Sequence, residues 1–142
     1  MSSGVTETDP ELEHQPPYFA MAFKPAEVAV PAGRALTRAA LEQWGMTDLK
    51  HAATLIVSEL LTNSIRYAAA VTLLLYAQDG ALTVEVRDDS PELPVAGEGL
   101  PMAESGRGLF LVQAYSDDWG YRHVDGGKVI WATVRASGAA SG

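Results

Sequence analysis

From Leu49 to Tyr67 the apolar residues recur at the spacing of one helix face, with Leu49, Ala53, Ile56 and Leu60 forming a stripe. Glu59 and Asn63 stand at the edge of that stripe, one helical turn apart and on the same face. Thr47-Asp48 offers an N-cap, so this helix is expected to begin there and to run to about Ala69. A shorter helix is expected before it, from Pro31 to Trp44. Proline is tolerated in its first turn, Ala35, Leu36, Ala39, Ala40 and Leu41 supply the stripe, and Gly45 ends it.

Elsewhere the signals are those of strands. Val71 to Gln78 is rich in aliphatic residues with Tyr76 and reads as a strand, Asp79-Gly80 as a two-residue hairpin turn, and Leu82 to Arg87 alternates as the returning strand. Tyr18 to Phe23 is a short strand, and Asp118–His123 and Lys128–Val134 form a last pair joined through Asp125-Gly-Gly. Asp88 to Ser105 is broken by prolines and glycines and is expected to be irregular, after which Gly106 to Tyr115 gives a helix that is apolar nearly all round. Residues 1–17 read as a disordered tail, residues 18–136 as one domain and residues 137–142 as a loose end. The pattern is that of a two-layer α/β sandwich, with helices on one face of a mixed, mostly antiparallel sheet.

The 142 residues support one domain with a real core. No apolar run approaches the roughly 20 residues of a membrane span, and the start lacks a signal pattern, so no membrane partner is expected. Cysteine is absent, which excludes disulfides and thiolate metal sites, and the cytoplasm is the expected compartment. A net charge of -8 argues against direct nucleic-acid binding. It leaves a single nucleotide open, because backbone amides and a cation hold phosphates without many lysines.

Three stretches carry candidate chemistry. Glu59 and Asn63 at a helix edge are costly to desolvate without partners, and suit either a satisfied edge pair or a site. In the strand ending at Asp88, Leu82, Val84 and Val86 share one face; Asp88 continues that phase toward the core, while Asp89 points away, as Glu85 and Arg87 do. An ionised aspartate there is well placed to accept from an exocyclic amino group, although Asp-Asp-Ser-Pro is also an ordinary turn. Gly106-Arg107-Gly108 opening a buried helix lets backbone amides approach phosphates, although it reads equally as a loop and cap. His14, His51 and His123 show no metal-ligand spacing, and Trp44, Trp119 and Trp131 are expected as core or helix-end anchors.

Together and in this order, the stretches resemble the GHKL superfamily of ATP-binding domains, in particular its single-domain branch of anti-sigma-factor serine/threonine kinases. The resemblance runs from about Tyr18 to Val134. Glu59-Leu-Leu-Thr-Asn63-Ser-Ile-Arg-Tyr67 is similar to the N box, Asp88-Asp-Ser90 with Pro94 to the G1 box, and Ser105-Gly-Arg-Gly-Leu109 to the G2 box. The resemblance implies Glu59 as general base, Asn63 as the Mg²⁺ ligand, and Asp88 with Ser90 at the adenine. It also implies that Gly106, Arg107, Gly108 and Leu109 form the phosphate side of an ATP site. The implied activity is phosphorylation of a STAS-type anti-sigma-factor antagonist, with binding of that antagonist or a sigma factor, and possible homodimerisation through Tyr18–Phe23 and the first helix.

The chain departs from that pattern at three points. Tyr67 stands where the branch usually has histidine, and Ser90 where the G1 box has glycine. The stretch from Pro94 to Gly106 is short, with Glu98 and Glu104 and no basic residue before Arg107. That acidic stretch motivates an alternative, a nucleotide-gated protein-binding module without significant kinase activity.

Overall fold

The computed structural model describes residues 16–91 and 104–136, without the side chains of residues 104–108. The expected tails, except Pro16 and Pro17, and the stretch 92–103 lie outside those residues. In chain order the elements are β1 (Tyr18–Phe23), α1 (Ala29–Trp44), a 3-10 turn (Thr47–Leu49), α2 (Lys50–Tyr67), β2 (Val71–Gln78), β3 (Ala81–Asp88), α3 (Glu104–Tyr115), β4 (Asp118–Val124) and β5 (Gly127–Arg135).

The strands form one sheet in the order β1-β2-β3-β5-β4. Every pairing is antiparallel, so the expectation of a mixed sheet is corrected. Two hairpins, β2-β3 and β4-β5, are laid side by side by the β3-β5 pairing; β3 and β4 both run antiparallel to β5 and so parallel to each other, and the connection between them crosses over through α3. The β2-β3 turn has Asp79 at φ 55° and Gly80 at φ 77°, the left-handed pair that matches strand twist.

The helices cover one face. Val71, Leu73 and Leu75 of β2, Leu82, Val84 and Val86 of β3, and Ile130, Ala132 and Val134 of β5 form a single core with Ala53, Ile56, Val57, Leu60 and Leu61 of α2. All four stripe residues expected on α2, Leu49, Ala53, Ile56 and Leu60, are buried there. Among the described residues, no helix is long and apolar enough to cross a membrane.

Helix ends differ from the sequence reading for local reasons. α1 starts at Ala29, two residues before Pro31, because all of its first-turn N–H groups lack intrahelical partners and proline fits anywhere there. It ends as expected, with Gly45 at φ 69° and Met46 N–H returning to the Leu41 carbonyl at 2.8 Å. The N-cap position of α2 is Leu49, not Thr47 or Asp48, which with Leu49 form a 3-10 turn that runs into the helix. α2 stops at Tyr67, short of Ala69, and Ala68 is already extended. α3 begins at Glu104, ahead of the expected Gly106.

The other face of the sheet is not simply open. Glu85 points there, as strand phase requires, yet it is only 6% exposed. Tyr76 Oη donates to its Oε2 at 3.2 Å, and Arg87 Nη2 donates to its Oε1 at 3.0 Å. Burial and the Glu85 carboxylate push the Tyr76 hydroxyl pKa up. Trp131 lies on the same face over Gly120, where a Cβ would meet the indole ring at 2.9 Å. The expected anchoring roles hold for Trp44, whose ring centroid is 5.2 Å from that of Phe19, and for Trp119, which packs against the core.

Candidate functional site

α2 and the end of β3 meet at one point. Helical periodicity places Ser64 directly after Asn63 on the buried side of α2, and Ser64 Oγ donates to Asp88 Oδ2 at 2.6 Å. Asp88 sits where its strand phase put it, facing the core beyond Val86. Its Oδ1 accepts from the Ser90 backbone N–H at 3.0 Å and from Lys128 Nζ at 2.9 Å. Lys128 also donates to the Ser90 carbonyl at 3.1 Å. The two charged side chains are almost completely enclosed, 2% exposed for Lys128 and 0% for Asp88. A buried pair of this kind is stable only because each charge is also hydrogen-bonded.

The neighbouring aspartate has a different role. Asp89 Oδ1 accepts from the Ala69 and Ala70 backbone N–H groups, at 2.7 and 3.2 Å. Those bonds hold its carboxyl below the usual 3.8 even though the group is exposed. They also account for the early end of α2, because N–H groups that an extended helix would use inwardly are taken by Asp89, just past β3. Asp88 and Asp89 together clamp the C-terminal end of α2 to the end of β3.

Asn63 is buried, 5% exposed, and its Nδ2 has no hydrogen-bond partner among the described residues. A buried amide donor without a partner costs about 1–3 kcal/mol, so its position calls for an acceptor from outside the described residues. Glu59, one turn earlier, is half-buried and lines a cavity of about 330 Å³ with Arg34, His51, Thr54 and Ser58. Ser90 is buried beside Asp88 and engages it through backbone atoms. Gly106, Arg107 and Gly108 fall in the opening of α3, and their side chains lie outside the described residues. Leu109, which follows, is buried.

Asn63 stands next to Ser64 where α2 meets Asp88 and Ser90 at the end of β3, whereas Glu59, one turn earlier, faces a cavity lined by residues of α1 and α2. The roles of Ser64 and Lys128 escaped the sequence reading. For Lys128 a signal existed: it shares the alternation of Ile130, Ala132 and Val134, and a lysine in a core phase requires a partner. A larger cavity, about 420 Å³, lies on the other sheet face beside Tyr18, Tyr76 and Glu85. It lies on the opposite sheet face from these residues, and Glu85 there is already satisfied by Tyr76 and Arg87. Among the described residues no group of three or more His, Cys, Asp or Glu is placed to hold a metal ion.

The profile of the histidine kinase-like ATPase domain matches residues 21–134. No curated protein matches the chain. Among solved structures, the chain is similar to the RsbU and RsbW domains of Rv1364c from Mycobacterium tuberculosis, with a TM-score of 0.62 and 19% identity. That similarity covers 84% of this chain and 32% of the other, so the chain spans about a third of that protein's length. It is also similar to the Acinetobacter baumannii histidine kinase AdeS, with a TM-score of 0.51 and 11% identity over 90% of this chain and 72% of the other.

Proposed function

The chain belongs to the histidine kinase-like ATPase domain family, and on that basis we propose that it is an ATP- and Mg²⁺-binding regulator of the anti-sigma-factor kinase type. It would transfer phosphate to a serine or threonine of a STAS-type antagonist, and bind that antagonist or a sigma factor. One observation carries the reading: Asp88 is fixed to α2 through Ser64, one residue beyond an Asn63 amide that is buried without a partner among the described residues.

The residues fit the nucleotide. Asp88 Oδ2 accepts one hydrogen bond from Ser64, which leaves a position for an exocyclic N–H of adenine. Because the carboxylate is enclosed, a base reaches it only as neighbouring atoms move aside. The unpartnered Nδ2 of Asn63 suits a phosphate oxygen, and its Oδ1 suits Mg²⁺, a cation that takes few protein ligands when phosphates and water supply the rest. When bound, Mg²⁺ supplies neutralisation of phosphate charge.

Glu59 stands one turn from Asn63 and faces a cavity, within reach of a hydroxyl that enters there. Its carboxylate would take the hydroxyl proton as that oxygen bonds to the γ-phosphorus of ATP and the bond to the β,γ-bridging oxygen breaks, releasing ADP, while Asn63 would hold the phosphate side in place. Gly106, Arg107 and Gly108 are proposed on that phosphate side, with Leu109 anchoring their helix.

The test is phosphate transfer from ATP to a STAS-type antagonist. Glu59→Ala is expected to lose about 100-fold or more in rate while still binding ATP. Transfer that survives Glu59→Ala unchanged would remove its catalytic role. Nucleotide-dependent capture of the antagonist, with no phosphate found on it, would make the protein a nucleotide-gated binding module.

A further inference from the structure

We propose that Lys128 is a specificity-determining residue of the nucleotide site, making Asp88 an acceptor for a single N–H donor and so excluding guanine. The inference rests on the reading of Asp88 as the base-recognising carboxylate, and names a discriminating device within it.

A free carboxylate has two oxygens with about four acceptor positions, and accepts paired donors side by side. Guanine presents such a pair on its edge, N1–H beside the 2-amino group. Adenine presents one donor there, its 6-amino group, beside the bare N1 acceptor. At Asp88 the choice between them depends on what already occupies the oxygens.

Oδ1 is used twice, by the Ser90 N–H at 3.0 Å and by Lys128 Nζ at 2.9 Å. Oδ2 is used once, by Ser64 Oγ at 2.6 Å. Among the described residues this leaves one acceptor position, on Oδ2. A lone donor fits it; a donor pair leaves one N–H facing the lysine ammonium, which has no acceptor to offer. A donor desolvated without a partner is penalised more than a bond is rewarded, so the discrimination is strong.

Lys128 is held for this task rather than swinging freely. Its side chain is 2% exposed and its ammonium is anchored a second time on the Ser90 carbonyl at 3.1 Å. The β3-β5 register sets Asp88 opposite Lys128, so the ammonium arrives from the neighbouring strand.

Calorimetric titration with ATP and with GTP, on wild type, Lys128→Met and Lys128→Gln, tests it. The glutamine is uncharged and one bond shorter, so it opens Oδ1 as the methionine does, and it keeps a polar group in the site if the methionine variant fails to fold. Wild type should prefer ATP strongly, and the ATP-to-GTP affinity ratio should fall by about tenfold or more in a folded variant, through gained GTP binding. Wild type binding GTP as well as ATP, or an unchanged ratio in either folded variant, would overturn the proposal and leave ATP binding at Asp88 intact. Failure of the wild type to bind either nucleotide would instead overturn the nucleotide reading itself, and this inference with it.

Discussion

Asp88 is satisfied by donors from three separate parts of the chain: Ser64 in α2, the Ser90 N–H after β3, and Lys128 in β5. Removing two charges from water is tolerable only while both are present, because a lone buried charge is left uncompensated. Asp88→Ala should therefore destabilise the fold by about 3 kcal/mol or more. The reading is a lower urea midpoint with an unchanged slope, and a loss under about 1 kcal/mol would contradict the enclosed pair. Asp89 predicts a pH effect. Its folded value lies below the ordinary 3.8, so its contribution is complete above 3.8 and is lost as pH falls below that figure. Wild type should exceed Asp89→Ala in thermal stability at neutral pH, with the gap closing in acid; a gap independent of pH would show that the Ala69 and Ala70 tether is not electrostatic. At this scale the sequence was legible where periodicity speaks. Strand phase put Asp88 inward and Asp89 outward, and helix phase put Asn63 beside the core. It could not say that Ser64 would reach Asp88, since that depends on where a helix end docks in space.

Among the elements, strands were read more closely than helices. β2 runs over the residues that aliphatic content marked, and β3, β4 and β5 extend the expected spans by a residue or so, because a ladder continues as long as its partner does. Helix ends depend on local competition for N–H groups, and so Thr47-Asp48 became a 3-10 turn and Asp89 ended α2 early. The Asp125-Gly-Gly turn shows the same division. Only Gly126 has the positive φ of a turn, 77°, while Gly127 is already in β5. Its glycine serves a close approach, because a Cβ would strike the Asp88 carbonyl and come within 2.8 Å of Asp89 Cα. Backbone atoms cannot swing aside as side chains do. Gly127→Ala should cost about 1–3 kcal/mol and weaken nucleotide binding with it, by shifting the end of β3 that carries Asp88. Wild-type stability in chemical denaturation would show that the strands part there without penalty.

The whole molecule is a sandwich with one helix-covered face and one sheet face closed in part by its own polar network around Glu85. The order of hydrophobic periods made that architecture legible, whereas the strand order did not follow from it, because nothing local says that β5 pairs with β3 and leaves β4 at the edge. β1 is the other edge, with Tyr18 and Met21 exposed along it. We propose that two copies associate through β1 and α1, so light scattering should give a dimeric mass and Met21→Lys should lower it; a monomeric wild type would refute this. The central claim is that the Asp88 end of the α2-β3 seam holds ATP, and calorimetric titration of ATP with and without Mg²⁺, on wild type and on Asp88→Asn checked for folding by circular dichroism, tests it most directly. The account predicts Mg²⁺-dependent binding by the wild type and its loss in Asp88→Asn. A wild type that takes up no ATP, or a folded Asp88→Asn that binds it as tightly, would contradict it.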